Sequence, residues 1–159
     1  MQILCGEAYL EAFAFICIAG QVARDSSCNR RKCGSIIVRN GEVIGKGFNS
    51  PPANLESHRR CHIDKSNYHN KVTDKTCCVH AEQRAIVNAL RRNASIIPGS
   101  TLYFAEIDDK DEMVYAGKPY CTVCSKMALD VGIEDIVLFH ESGIHLYKST
   151  EYNSISYEY

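Results

Sequence analysis

The chain carries no excess of charge of either sign. Its 159 residues hold 18 Lys and Arg against 19 Asp and Glu, a formal net charge of −1. Binding a polyanion requires a basic face, so bulk charge gives no case for DNA or RNA as a partner. A local basic pocket for a single phosphate stays open. Long hydrophobic runs are also missing. The stretch from Phe13 to Ala19 is far too short to span a bilayer, and no membrane partner is expected. No secretory leader is expected either: the start lacks a basic segment, and Glu7 and Glu11 interrupt the apolar residues. There is no internal repeat and no linker. Residues 1–159 are therefore expected to form one domain, with a tyrosine-rich tail from about residue 142 that carries Tyr147, Tyr152, Tyr157 and Tyr159. Apolar residues make up 45% and charged residues 23%, near the averages of globular proteins, which argues against disorder.

What the chain has in quantity is cysteine. There are nine, an odd number, and Cys77 and Cys78 are adjacent. In a cytoplasmic protein, the location expected here, so many thiols point to metal binding rather than to a disulfide scaffold.

Apolar spacing outlines the secondary structure. Tyr9, Leu10, Phe13, Ile16, Cys17 and Val22 predict a helix over Glu7 to Arg24, ended by Asp25 and two serines. Ser35 to Val38 and Val43 to Phe48 read as strands joined by an Asn40-Gly41 hairpin turn. Residues Ala53 to Thr76 are polar and form a long loop holding His58, Cys61, His62 and His69; a loop of that length usually has a function or something that pins it. A helix over His80 to Arg92, a strand over Thr101 to Ala105, an acidic loop over Ile107 to Lys118, a helix over Thr122 to Val131 and a strand over Ile136 to Phe139 follow. Strand–helix–strand steps of this length favour parallel pairing by right-handed crossover. The expected fold class is α/β, a mixed sheet with helices on its faces.

The chemistry is concentrated in two short motifs. His80-Ala81-Glu82 opens one predicted helix, and Cys121 and Cys124, beginning 41 positions after His80, open another. Residues three apart share a helix face, and the free N–H groups of a helix start stabilise thiolates. One imidazole and two thiolates around a Zn²⁺ leave a fourth position for water, the pattern of a catalytic zinc site. Glu82 then has work as a proton carrier beside that water. Helical periodicity alone does not put it there, since residues two apart do not share a face. Alone, C-x-x-C can also be a redox pair or half of a structural zinc site.

These motifs, in this order and with Pro119 upstream of the cysteines, resemble the cytidine and deoxycytidylate deaminase superfamily, whose pattern is H-x-E followed by P-C-x-x-C. The similarity extends to SSCNRRKCGSIIV (Ser26 to Val38), VIGKGFNSPP (Val43 to Pro52), CVHAEQRAI (Cys78 to Ile86) and ALDVGIEDIVLF (Ala128 to Phe139), all like the deoxycytidylate branch. The resemblance implies a three-layer α/β/α sandwich around a mixed five-stranded sheet. It implies hydrolytic deamination of a nucleotide or nucleoside, deoxycytidylate to deoxyuridylate first. It assigns His80, Cys121 and Cys124 to zinc, Glu82 to proton transfer and Asn49 to the sugar of the substrate. Arg31, with Arg30, is placed to fork onto a 5′-phosphate, although both can equally be solvated surface residues. Cytidine, guanine or another purine derivative, and transfer-RNA adenosine are the alternative substrates, and a non-catalytic zinc module is the alternative of another class.

Some deoxycytidylate deaminases carry an additional zinc that pins the long loop. Cys28, Cys61, His69 and Cys78 are the candidates here for such a structural ion, with Cys33, His62 and Cys77 as rivals. By the same resemblance the chain is expected to form a homo-oligomer. Three features depart from the pattern. Tyr120 is inserted between Pro119 and Cys121. Arg84 replaces the asparagine usual after H-A-E-x, where it can meet a substrate anion, pair with an acid or point outward. The acidic stretch Ile107 to Lys118 and the tyrosine-rich tail have no counterpart.

Overall fold

The hairpin that organises the sheet begins with β2 (Lys32–Arg39) and β3 (Glu42–Phe48), antiparallel around Asn40 and Gly41. Both turn residues have positive φ, 52° and 78°, which an Asn-Gly pair tolerates and a two-residue hairpin turn requires. The computed structural model describes residues 1–158; Tyr159, named above as part of the tail, lies outside them.

The remaining elements are β1 (Gln2–Ile3), α1 (Gly6–Ala23), α2 (Ala81–Asn93), β4 (Thr101–Ile107), β5 (Met113–Val114), α3 (Thr122–Asp130), β6 (Asp135–His140), β7 (Gly143–Lys148) and α4 (Ser149–Ile155). Strand order is β1-β7-β6-β4-β2-β3, with β5 paired to the end of β4. The β4–β6 pair is parallel and the other pairs are antiparallel, so the sheet is mixed. Seven strands stand where five were expected. The two extra ones, β1 and β5, are two-residue pieces at the margins. The step β4–α3–β6 makes the expected parallel pair. The step β3–α2–β4 does not, because β2 lies between β3 and β4 and is antiparallel to both. β2 takes the inner place because its residues from Gly34 to Val38 are buried.

Side-chain alternation along β2 divides the core in two. Ile36 and Val38 pack with Ala12, Ile16 and Ala19 of α1 on one face. Ile37 packs on the other with Ala85, Ile86 and Ala89 of α2 and Ala128 of α3. The result is the three-layer α/β/α sandwich. Residues 143–155, read as a tyrosine-rich tail, are β7 and α4, and Tyr147 and Tyr152 are buried in the α2–α3 side of the core. Alternation was hard to see there because β7 mixes Gly, His and Lys with its apolar residues. No helix among the described residues is long and apolar enough to cross a membrane.

Candidate active site

Two helix starts face each other on the α2–α3 side of the sheet. His80 is the N-cap of α2, with φ −69° and ψ 153°. Cys121 is the N-cap of α3, and its Sγ accepts the Cys124 N–H at 3.4 Å. His80 Nδ1 lies 3.2 Å from Cys121 Sγ and 3.3 Å from Cys124 Sγ, and the two sulfurs are 3.0 Å apart. Gln83 braces this arrangement. Its Oε1 accepts the His80 N–H at 2.9 Å, and its Nε2 reaches Met127 Sδ at 3.7 Å, so it touches both helices.

Glu82 sits within hydrogen-bonding reach of Cys124. The periodicity argument against it fails because His80 is not helical: from the N-cap its side chain leaves in a direction the helix does not set, and both groups turn into one space. Burial raises the Glu82 carboxyl above the usual carboxylate range, against the lowering effect of His80. Cys121 is pulled down to about 4, first by the hydrogen bond from Cys124 and then by His80. His80 is raised to about 9, chiefly by its bond to Cys121, and Cys124 is pushed well up by its bond to Cys121 and by burial. The donor set, one imidazole and two sulfurs with no fourth protein ligand in the group among the described residues, fits a zinc ion with an open position.

A cavity of about 310 Å³ opens in front of this group. Asn49, His80, Glu82, Phe104 and Tyr120 line it. Asn49 is buried, and its Oδ1 accepts the Cys33 N–H at 2.8 Å and the Ser26 hydroxyl at 2.6 Å, while its Nδ2 donates to Arg31 O at 2.8 Å. It therefore ties the start of β2 to the end of β3, and one Nδ2 hydrogen is left for a ligand. Five cations also line the cavity, Arg30, Arg31, Arg60, Lys65 and Lys75, and the one carboxylate among its lining residues is Glu82. Arg31 Nη1 also lies 3.4 Å from Glu106, and Arg30 donates to Cys61 O at 3.1 Å.

A family model for the cytidine and deoxycytidylate deaminase zinc-binding region matches residues 11–140. The chain belongs to this family. Among curated relatives, the deoxycytidylate deaminase of Mycobacterium phage D29 is 29% identical over 134 residues, covering 80% of this chain and 93% of that protein. The deoxycytidylate deaminase of Schizosaccharomyces pombe is 27% identical over 133 residues, and the match spans 36% of its length. A crystal structure of dCMP deaminase from the cyanophage S-TIM5 in complex with dCMP and dUMP superimposes with a TM-score of 0.54 at 27% identity, over 78% of this chain and 76% of that one. A cytidine deaminase from Burkholderia pseudomallei, 17% identical with a TM-score of 0.58 over 88% of this chain and 94% of that one, shares the fold.

Against the family pattern, Tyr120 lines the cavity, and its hydroxyl is raised to about 12, first by burial and then by Glu82. Arg84 pairs with no carboxylate among the described residues and is not among those that line the cavity. Its guanidinium donates to the Ser50 and Pro51 carbonyls.

A second thiol group also forms in this member of the deaminase family, with a different composition from the expected one. Cys61, Cys77 and Cys78 have their sulfurs within 4.8 Å of one another. Cys28 neighbours Cys78, and Cys33 lines the cavity, as Cys28, Cys61, Cys77 and Cys78 do, without joining the group. His69 is not in the group: it is exposed on the outer loop, and its Nδ1 accepts the Lys71 N–H at 3.2 Å. Cys77, held by the Arg60 N–H at 2.9 Å, takes that place. Nothing in the residue pattern marks Phe104, Arg60, Lys65 or Lys75 as cavity residues. Phe104 is one of several apolar residues on a core strand, and the three cations sit in a loop without periodicity.

Proposed function

We propose that this protein is a zinc-dependent hydrolytic deaminase converting deoxycytidylate to deoxyuridylate. The observation that carries the reading is the meeting of His80, Cys121, Cys124 and Glu82 at the head of one cavity. His80, Cys121 and Cys124 would hold the ion, which supplies an acidified water at neutral pH. Glu82 would take one proton from that water and pass it to the ring nitrogen, then take the second from the hydroxyl added at C4 and pass it to the leaving amine. One water is consumed at C4 and one ammonia is released. The raised carboxyl suits a group that must donate a proton as well as accept one. Phe104, in the cavity wall, would lie against the base, and Asn49 would donate its remaining N–H to the sugar.

The cationic rim favours a phosphorylated substrate. Five Lys and Arg around a cavity in a chain of net charge −1 concentrate positive potential at the entrance. Arg31, with Arg30 beside it, is our candidate for the 5′-phosphate.

Cys61, Cys77 and Cys78, with Cys28 adjacent, are proposed to hold a second, structural zinc that pins the loop carrying Arg60, Lys65 and Lys75. The nine free thiols support a cytoplasmic location. Exposed Val87 and Leu90 on α2 support a homo-oligomer.

Ammonia release from deoxycytidylate, cytidylate, deoxycytidine, cytidine, guanine, guanosine and adenosine tests the reading, with Glu82→Ala as the blank. Deoxycytidylate is expected to lead, and Glu82→Ala to lose turnover while keeping its metal. Activity retained by Glu82→Ala, or no release from any substrate by the metal-loaded protein, would refute it.

A further inference from the structure

Arg84 is the departure that follows the intact H-A-E motif, and its surroundings are specific. It lies one turn into α2, and its amide donates to His80 O at 3.1 Å. Its Nη2 donates to Pro51 O at 2.7 Å and to Ser50 O at 3.3 Å, and its guanidinium stands over the Phe48 ring with 5.8 Å to the centroid. Arg84 is not among the residues that line the cavity, and among the described residues no carboxylate pairs with it.

Those two carbonyls are at a junction. Ser50 O also accepts the Val79 N–H at 3.0 Å, in an isolated bridge between the end of β3 and the segment that leads into His80. Pro51 O also accepts the Asn54 N–H at 2.9 Å. Three pieces of chain meet there: Asn49 to Pro51, Val79 to His80, and the first turns of α2. Gly47 makes the approach possible, since its absent side chain lets Arg84 Cβ come within 2.7 Å of where a Cβ would stand.

We propose that Arg84 is a positioning residue that fixes Asn49 relative to His80 and Glu82, and so sets how the substrate's sugar is presented to the catalytic end of the cavity. The proposal rests on the deaminase reading above. A guanidinium suits the task because it is planar and carries several N–H groups in a rigid fork, so one nitrogen serves two carbonyls while the central carbon stays over the Phe48 ring. A lysine ammonium has the charge without that geometry.

The discriminating experiment compares Arg84→Lys and Arg84→Met with the parent, each loaded with zinc, on deoxycytidylate and on deoxycytidine. Misplacing Asn49 affects both substrates, whereas a lost phosphate contact affects only the nucleotide. kcat/KM is expected to fall by the same factor for both, about tenfold, mainly through KM, with zinc content unchanged and lysine giving no rescue. A loss confined to deoxycytidylate would make Arg84 a phosphate ligand and overturn the proposal. So would unchanged kinetics in Arg84→Lys. Hydrogen exchange supplies a readout independent of turnover. The Val79 and Asn54 amides, whose acceptors Arg84 holds, are expected to lose protection in both variants while α1 amides do not. If the parent acts on neither substrate the deaminase reading falls, and exchange alone decides: retained protection at Val79 and Asn54 would sink the positioning role.

Discussion

Ser125 donates its hydroxyl to Asn153 Oδ1 at 2.9 Å from the position directly after Cys124. Ser125 is fully buried, and its Oγ also lies 3.2 Å from Ser156 Oγ and 3.2 Å from Thr122 O. The last helix thereby clamps the helix that bears both cysteines. Asn153→Ala removes the acceptor inside a buried network and is expected to destabilise by about 1–3 kcal/mol. Urea unfolding of the metal-loaded protein measures this. A change below a few tenths of a kcal/mol would mean α4 is not coupled to α3.

Gly47→Ala is expected to do more damage than its size suggests. An added Cβ would meet Ala81 O and Ala85 N, backbone atoms that cannot rotate away. The first turn of α2 would have to lift off β3, taking His80 and Glu82 with it. Overpacking of this kind costs about 1–3 kcal/mol or more. Thermal unfolding together with zinc content checks it; a variant with normal melting and full metal would contradict the close approach.

Chelation is expected to change thiol counts in a defined way. Stripping zinc from His80, Cys121 and Cys124 frees two thiols, and stripping the proposed second ion frees Cys61, Cys77 and Cys78, giving five in total. Thiol titration with and without chelator reads the number directly. A gain of two alone would remove the second ion and leave the first.

Acid is expected to weaken the β6–β7 hairpin. His140 lies between Ala116 O at 3.0 Å and the Tyr147 hydroxyl at 2.9 Å. Burial depresses its pKa below 6.5, helped by nearby His145, which is itself depressed by burial. The unfolded chain therefore binds more protons than the folded one just below pH 6.5, so stability is full above that value and declines as pH falls through the folded pKa. Unfolding free energy measured from pH 7.5 to 5 should show this slope, and His140→Gln should flatten it. Equal slopes in the two proteins would refute the assignment.

Much of the site was legible because zinc chemistry restricts which residues can serve and where they stand. His80, Cys121 and Cys124 are separated in sequence, yet each marks a helix start, and helix starts are readable from capping and periodicity. Glu82 was visible only through the family pattern, since its placement depends on the extended backbone of His80. The loop was the least legible part. Nothing in its spacing distinguishes Cys77 from His69 as the third member of a thiol group, because the choice is made by the path of the chain past Arg60. β7 was missed for a local reason: with Gly143, His145 and Lys148 in it, its alternation is weak, and pairing with β6 decides its form.

Cys78 and His80 are separated by a single residue, Val79, whose amide is anchored to Ser50. The loop thiols and the catalytic imidazole are thus mounted in series on one short, tethered length of backbone. A shift in the thiol group would therefore be carried to the His80 ring, which is proposed to hold the ion. Oxidation or metal exchange at Cys78 would then be a mechanical input to the proposed deaminase centre as well as a local chemical event.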